Sequence, residues 1–218
     1  MNRIDDGAQA VKIANPKTLE FQVVRTSLLP GLLKTMRENR SHALPIQIFE
    51  TSDVVFKDKS LERQARNERH AAALWCNKTA GFEMVHGLLD SIMQMLEVPR
   101  ISGSDAESLH GYYIKERDGN VISLLVKTDF MLIILYEDAT FFPGRGATIY
   151  YRSQPDTPGS LLTSLKRTLS IGRDWEIGVL GILHPSVLEK FEIGYPCSAL
   201  EFNLEPFKKE VKAVWVNP

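Results

Sequence analysis

Two apolar runs, Ile46–Phe56 and His70–Cys76, flank a stretch from Lys57 to Arg69 that is nearly all polar and charged. A chain that leaves one β-favouring run, crosses a charged loop and returns in a second is set up as an antiparallel pair. Pro45 opens the first run. Its apolar residues fall on both faces, the pattern of a central strand. What surrounds this pair decides the fold class. Leu29, Leu32, Leu33 and Met36 recur at helical spacing and predict a helix over Thr26–Asn39, capped by Thr26 or Ser27, with Pro30 tolerated in the first turn. Phe82, Val85, Leu89, Ile92 and Leu96 make a second stripe within Gly81–Val98, widened by Leu88 and Met95 and stopped by Pro99.

The remaining β-rich segments are a short strand at Val11–Ala14, then Gly111–Lys115, Ala139–Phe142, Ala147–Arg152, Glu176–Leu183 and Ser198–Leu204. A short helix, Pro185–Phe191, precedes the last of them. No regular β–α–β repeat runs through this order. The expected fold is therefore α+β, an antiparallel β-sheet flanked by helices. At 218 residues the chain has the length of one domain, with tails at 1–10 and 208–218.

Bulk charge narrows the function. A net charge of −1 argues against broad electrostatic capture of nucleic acid. The two cysteines, Cys76 and Cys197, make no CxxC and no Cys/His ligand cluster, and read as reduced thiols of a cytoplasmic protein. The acidic, polar start MNRIDDGAQA is not a signal peptide. The most apolar run, Val121–Tyr136, carries Lys127 and Asp129 and is short for a membrane span.

No catalytic set stands out. The five histidines make no HxH or HExxH spacing, and His86, near the apolar face of its helix, reads as structural. There is no G-x-S-x-G elbow and no phosphate-binding Walker loop. Gly144-Arg145-Gly146 has two readings. Its glycines would let backbone approach a phosphate that Arg145 could fork, while Pro143-Gly144 is also an ordinary turn between two strands. Lys166, Arg167 and Arg173 lack interleaved aromatics and read as a solvated loop.

Five stretches carry a resemblance: NPKTLEFQVVRTSLLPGLLKTMRENR (Asn15–Arg40), IQIFETSDVVF (Ile46–Phe56), GFEMVHGLLDSIMQML (Gly81–Leu96), FFPGRGATIY (Phe141–Tyr150) and GVLGILHPSVLEKFEI (Gly178–Ile193). In this order they resemble the C-terminal part of the β subunit of phenylalanyl-tRNA synthetase, in its eukaryotic cytosolic form. The resemblance covers about residues 11–207. It implies part of a catalytic-like, inactive module with the sheet of a class II aminoacyl-tRNA synthetase. It also implies an α-subunit partner in an (αβ)2 heterotetramer that joins phenylalanine to tRNA(Phe) with ATP and Mg2+.

Within that frame no catalytic, cofactor or metal residue is carried over to this chain. Class II catalysis needs an arginine after the first strand of the Ile46 hairpin to hold the ATP α-phosphate. Here Phe56 is followed by Lys57-Asp58-Lys59, with no Arg-x-Glu, and the Gly178–Phe191 region offers Leu183-His184-Pro185 where a second arginine is needed. The expectation is a chain that binds no ATP by itself. Its structural and interface candidates are Arg25, Leu29, Leu32, Leu88, Arg145 and His184, with Leu88 widening its helix beyond one face. Two segments, about 118–136 and 156–174, have no counterpart in the resembled pattern and read as translated introns or lineage-specific insertions. The alternative function is a free-standing class II-like binding or regulatory module without ligase activity.

Overall fold

The computed structural model describes residues 1–2, 8–18, 21–102, 110–117, 121–123, 134–136, 140–153 and 174–208. The basic cluster Lys166, Arg167 and Arg173 lies outside them, as do most of the two suspected insertions and nearly all of the C-terminal tail.

Six strands form one sheet: β1 (Ile46–Lys57), β2 (Ala65–Cys76), β3 (Gly111–Glu116), β6 (Phe141–Arg152), β7 (Asp174–Leu183) and β8 (Cys197–Asn203). Their spatial order is β1-β2-β8-β7-β6-β3, and every neighbouring pair is antiparallel. The expected α+β class therefore stands. Two three-residue strands, β4 (Val121–Ser123) and β5 (Ile134–Tyr136), pair only with each other, in a second sheet.

Each face of the large sheet carries its own core. On one face lie α1 (Leu29–Glu38) and α3 (Pro185–Lys190), with Leu29, Leu33, Met36, Val187 and Leu188 packed on Val54, Leu74, Cys197 and Ala199. On the other lies α2 (Phe82–Met95), whose Val85, Leu89 and Met93 meet Ile149, Leu180, Leu200 and Phe202. Alternation sends Leu200 and Phe202 to one side of β8 and Cys197 and Ala199 to the other.

Three expectations change. β1 is an edge strand, not a central one. Val11–Ala14 forms no strand: a single antiparallel bridge joins Lys12 to Val23. Pro143-Gly-Arg-Gly146 does not reverse the chain. It lies inside β6, where the register jumps from Phe141↔Leu183 to Gly146↔Gly181, so four residues bulge out opposite Ile182 alone. Gly144 sits there at φ +67°, and a Cβ on Gly181 would lie 2.6 Å from the Arg145 carbonyl oxygen. At the start of α1, Leu28 has no capping side chain, but Ser27 Oγ accepts the Leu29 N–H at 3.3 Å, as expected of a cap there. Glu201 of β8 adds to that cap, accepting the Leu28 N–H at 2.9 Å and the Ser27 hydroxyl at 2.6 Å.

Candidate partner interface

The sheet is covered unevenly on its α2 side. Even-numbered residues of β1, such as Ile46, Ile48, Val54 and Phe56, point into the α1 core. The odd-numbered ones point the other way, toward the α2 side. Phe49, the Cα partner of Ala73, is 83% exposed as a result. Ala71 and Ala73 are too small to fill the hairpin surface in front of it. They leave a cleft of about 640 Å3 between the hairpin and α2, bordered by Phe49, Trp75, Met84 and Leu88.

Local sequence builds each wall. α2 starts at Gly81, whose N–H donates to Ser198 Oγ at 3.1 Å and so fixes the helix to β8. A Cβ at Gly81 would come within 2.5 Å of the Trp75 indole, so glycine is what lets the helix start this close to Trp75. From there the helix turns Val85 and Leu89 inward, leaving Met84 49% and Leu88 39% exposed along its flank. Contiguous exposed apolar surface of this kind marks interaction sites.

The free edge of β1 adjoins the cleft. Val55 N–H donates to the Arg25 carbonyl at 3.0 Å and Lys57 N–H to the Gln9 carbonyl at 2.8 Å, so Gln9 and Arg25 cover the C-terminal half of that edge. By the same alternation, the N–H groups of Gln47, Phe49 and Thr51 point outward along the other half. Among the described residues no backbone carbonyl receives them.

The sequence candidates separate on this geometry. Leu88 borders the cleft. Leu29 and Leu32 are buried in the α1 core. Arg25 holds the β1 edge, with Nη1 2.8 Å from Glu50 Oε1 and Nε 3.0 Å from the Asp53 carbonyl. His184 caps α3: its Nδ1 accepts the Ser186 N–H at 3.2 Å, and its ring stacks on Phe142 at 6.1 Å. Arg145 lies exposed on the β6 bulge, with no hydrogen bond or ion pair from its side chain among the described residues. Sequence reasoning passed over Phe49, Trp75 and the two alanines. The signal available was the apolar residue on the second face of β1, which read as a mark of centrality.

The hairpin does contain an Arg-x-Glu, Arg66-Asn67-Glu68, at the start of β2. Its guanidinium is engaged inside the chain: Nε lies 2.6 Å from Glu68 Oε1, Nη1 3.4 Å from Asp58, and the Phe56 ring centroid is 5.4 Å away. The Asp58 carboxyl, accepting from the Ser60 hydroxyl and N–H and from Arg66, is held below its ordinary value. Among the described residues no three His, Cys, Asp or Glu side chains converge on a metal-sized point, and no helix is long and apolar enough to cross a membrane.

An antiparallel six-stranded sheet with helices on both faces and an uncovered apolar corner defines an α+β module. Residues 1–204 match the family model described as the phenylalanyl tRNA synthetase beta chain CLM domain. The chain is 47% identical over 202 residues to the phenylalanine–tRNA ligase beta subunit of Schizosaccharomyces pombe, covering 93% of this chain and 28% of that one. It is 46% identical over 207 residues to the Drosophila melanogaster subunit of the same name, covering 95% and 28%. An Arabidopsis thaliana relative, named as the cytoplasmic beta subunit, is 37% identical over 205 residues, covering 94% and 28%. This chain belongs to the phenylalanyl-tRNA synthetase β-chain family. It spans a little over a quarter of the length of these curated relatives.

Proposed function

We propose that this chain is part of the non-catalytic β subunit of phenylalanine–tRNA ligase and acts by supporting the α subunit. In that role it serves the ATP-dependent attachment of phenylalanine to tRNA(Phe), in the cytoplasm, within an (αβ)2 assembly. The observation that carries the reading is the uncovered corner of Phe49, Trp75, Met84 and Leu88 beside a free strand edge, in a chain of this family. Burying one such side chain contributes about 1.5–3 kcal/mol, so a few of them would hold a subunit.

The antiparallel sheet supports a class II synthetase-like fold for the module. ATP and Mg2+ then belong to the whole complex. The Arg66 guanidinium, engaged by Glu68 and Asp58, supports a chain that does not clamp ATP itself. Calorimetry of the isolated chain with ATP should give no saturable heat; a saturable isotherm would contradict this part of the proposal.

The partner clause is tested by Leu88→Glu. Leu88 is half-exposed, so a charge there can reach solvent when the chain is alone. The variant should fold and unfold like the parent but lose most of its co-purification with the full-length α subunit. Unchanged co-purification would rule out this face as the α-binding surface.

The paired strand ends also support reading 118–136 and 156–174 as additions to the module. β3 and β6 pair from Gly111↔Arg152 to Glu116↔Ala147, and β6 and β7 close at Arg152↔Asp174. The β3–β6 ladder is complete without the first segment, and the second contributes only its last residue, Asp174, to the β6–β7 ladder.

A further inference from the structure

Cys76 ends β2 and Cys197 opens β8, and the two are Cα partners across the ladder. The ladder's hydrogen bonds set their spacing. On this register Leu204 N–H donates to the Arg69 carbonyl at 2.8 Å and Asn77 N–H to the Pro196 carbonyl at 3.3 Å. Hydrogen-bonded and non-hydrogen-bonded pairs alternate, so Cys76/Cys197, next to Asn77/Pro196, is a non-hydrogen-bonded pair. Such pairs bring Cα atoms to about 4.5 Å, inside the roughly 4.4–6.8 Å that a disulfide spans.

Both side chains project to the same face, into the α1 core, and both are buried free thiols. The Cys197 thiol donates to the Tyr195 carbonyl oxygen at 3.6 Å. The neighbouring Cys197 thiol holds Cys76 below its ordinary value, while Cys197 is pushed up by the Cys76 thiol and by burial. Cys197, whose proton the Tyr195 carbonyl engages, is the thiol that keeps its proton, and Cys76 is the attacking nucleophile. The pair sits at a strand end, next to the exposed residues Lys78–Ala80, the side from which a small oxidant would reach it.

We propose that Cys76 and Cys197 are a peroxide-responsive dithiol that closes to a cross-strand disulfide within the chain. The Cys76 thiolate attacks one oxygen of hydrogen peroxide, the O–O bond breaks, and the departing hydroxide takes a proton to leave as water. Cys76 is then a sulfenic acid. The Cys197 sulfur attacks the Cys76 sulfur, the S–O bond breaks, and a second water leaves with the Cys197 proton. Two thiols and one peroxide become one disulfide and two waters. The bond staples β2, which carries Trp75 and the alanine floor of the cleft, to β8.

The test uses the full chain, fully reduced and then treated with dilute hydrogen peroxide. It is next denatured, alkylated with N-ethylmaleimide and weighed intact. The expected product has lost two hydrogens, carries no maleimide, and yields on digestion a peptide pair joined through Cys76 and Cys197. Dithiothreitol before alkylation should restore both adducts. Two maleimide adducts after peroxide, a sulfinic acid on either cysteine without a cross-link, or a dimer joined between chains would each overturn the proposal. Cys197→Ser removes the resolving thiol and should leave Cys76 as a sulfenic acid trapped by dimedone; folded variant without that adduct would refute the order of attack. The wild-type mass decides the cross-link itself even if the variant does not fold.

Discussion

Glu201 joins α1 to the sheet. Its carboxylate is 6% exposed and accepts three hydrogen bonds, from Ser27 Oγ at 2.6 Å, Leu28 N–H at 2.9 Å and His70 Nδ1 at 3.1 Å. Burial alone would raise its pKa, but the bonds from His70, Ser27 and Leu28 outweigh burial and leave it below the ordinary 4.5. Removing the carboxylate strands a buried N–H and a buried hydroxyl. Glu201→Ala should therefore cost about 3 kcal/mol of stability in chemical denaturation. The pH dependence follows from the sign of the shift. A carboxyl whose folded pKa is depressed contributes its full stability above the ordinary value and loses it as pH falls through the folded one. The gap between parent and Glu201→Ala should hold steady above pH 4.5 and narrow below it. A gap that stays constant down to about pH 3 would mean the bonds do not depend on the ionised carboxylate.

At the scale of elements, what the sequence revealed was whatever repeats locally. The stripes of α1 and α2 were legible because a helix fixes which residues share a face within the element itself. Leu88 was legible for the same reason: it widens its stripe beyond what the sheet below covers, and it remains exposed. Strand rank is different. Whether β1 is central or at an edge depends on where β8 inserts, and β8 lies more than a hundred residues further on, against β2. Apolar residues on both faces of β1 have two explanations, neighbours on both sides or an uncovered outer surface, and only the strand order separates them. Phe49 was lost to that ambiguity. The α1 cap was legible in part: Ser27 Oγ accepts the Leu29 N–H at 3.3 Å, but the Leu28 N–H finds its acceptor in Glu201, which no local pattern shows. The Pro143–Gly146 segment carries real turn chemistry, and the structure uses it to bulge a strand. A bulge and a reversal demand the same residues, and the partner strand decides between them.

For the whole molecule, the question is how much of the chain the six-stranded sheet needs. Arg117 N–H donates to the Gly146 carbonyl at 2.9 Å, closing the β3–β6 ladder just before the first suspect segment begins. At the far end of β6, Arg152 clamps Asp174 with Nε at 2.7 Å from Oδ1 and Nη2 at 2.9 Å from Oδ2, and Tyr113 donates to the same carboxylate at 2.8 Å. That Asp174 carboxyl is held below its ordinary value, chiefly by Arg152. If the residues between these closed ladder ends are additions to the module, as proposed, they act on stability mainly through the entropy of loop closure. This cost grows only with the logarithm of loop length, so shortening a loop several-fold returns about 1–2 kcal/mol. A chain lacking 118–136, in which Arg117 runs directly into Glu137, should keep its cooperative unfolding and its denaturation slope, with stability equal to the parent or higher by that amount. The slope is the sharper readout, because it tracks the surface buried on folding, and neither ladder end loses a paired residue. A shallower slope or a broadened transition would show that the segment packs on the sheet. Such a result would make it part of the module and remove the case for an insertion.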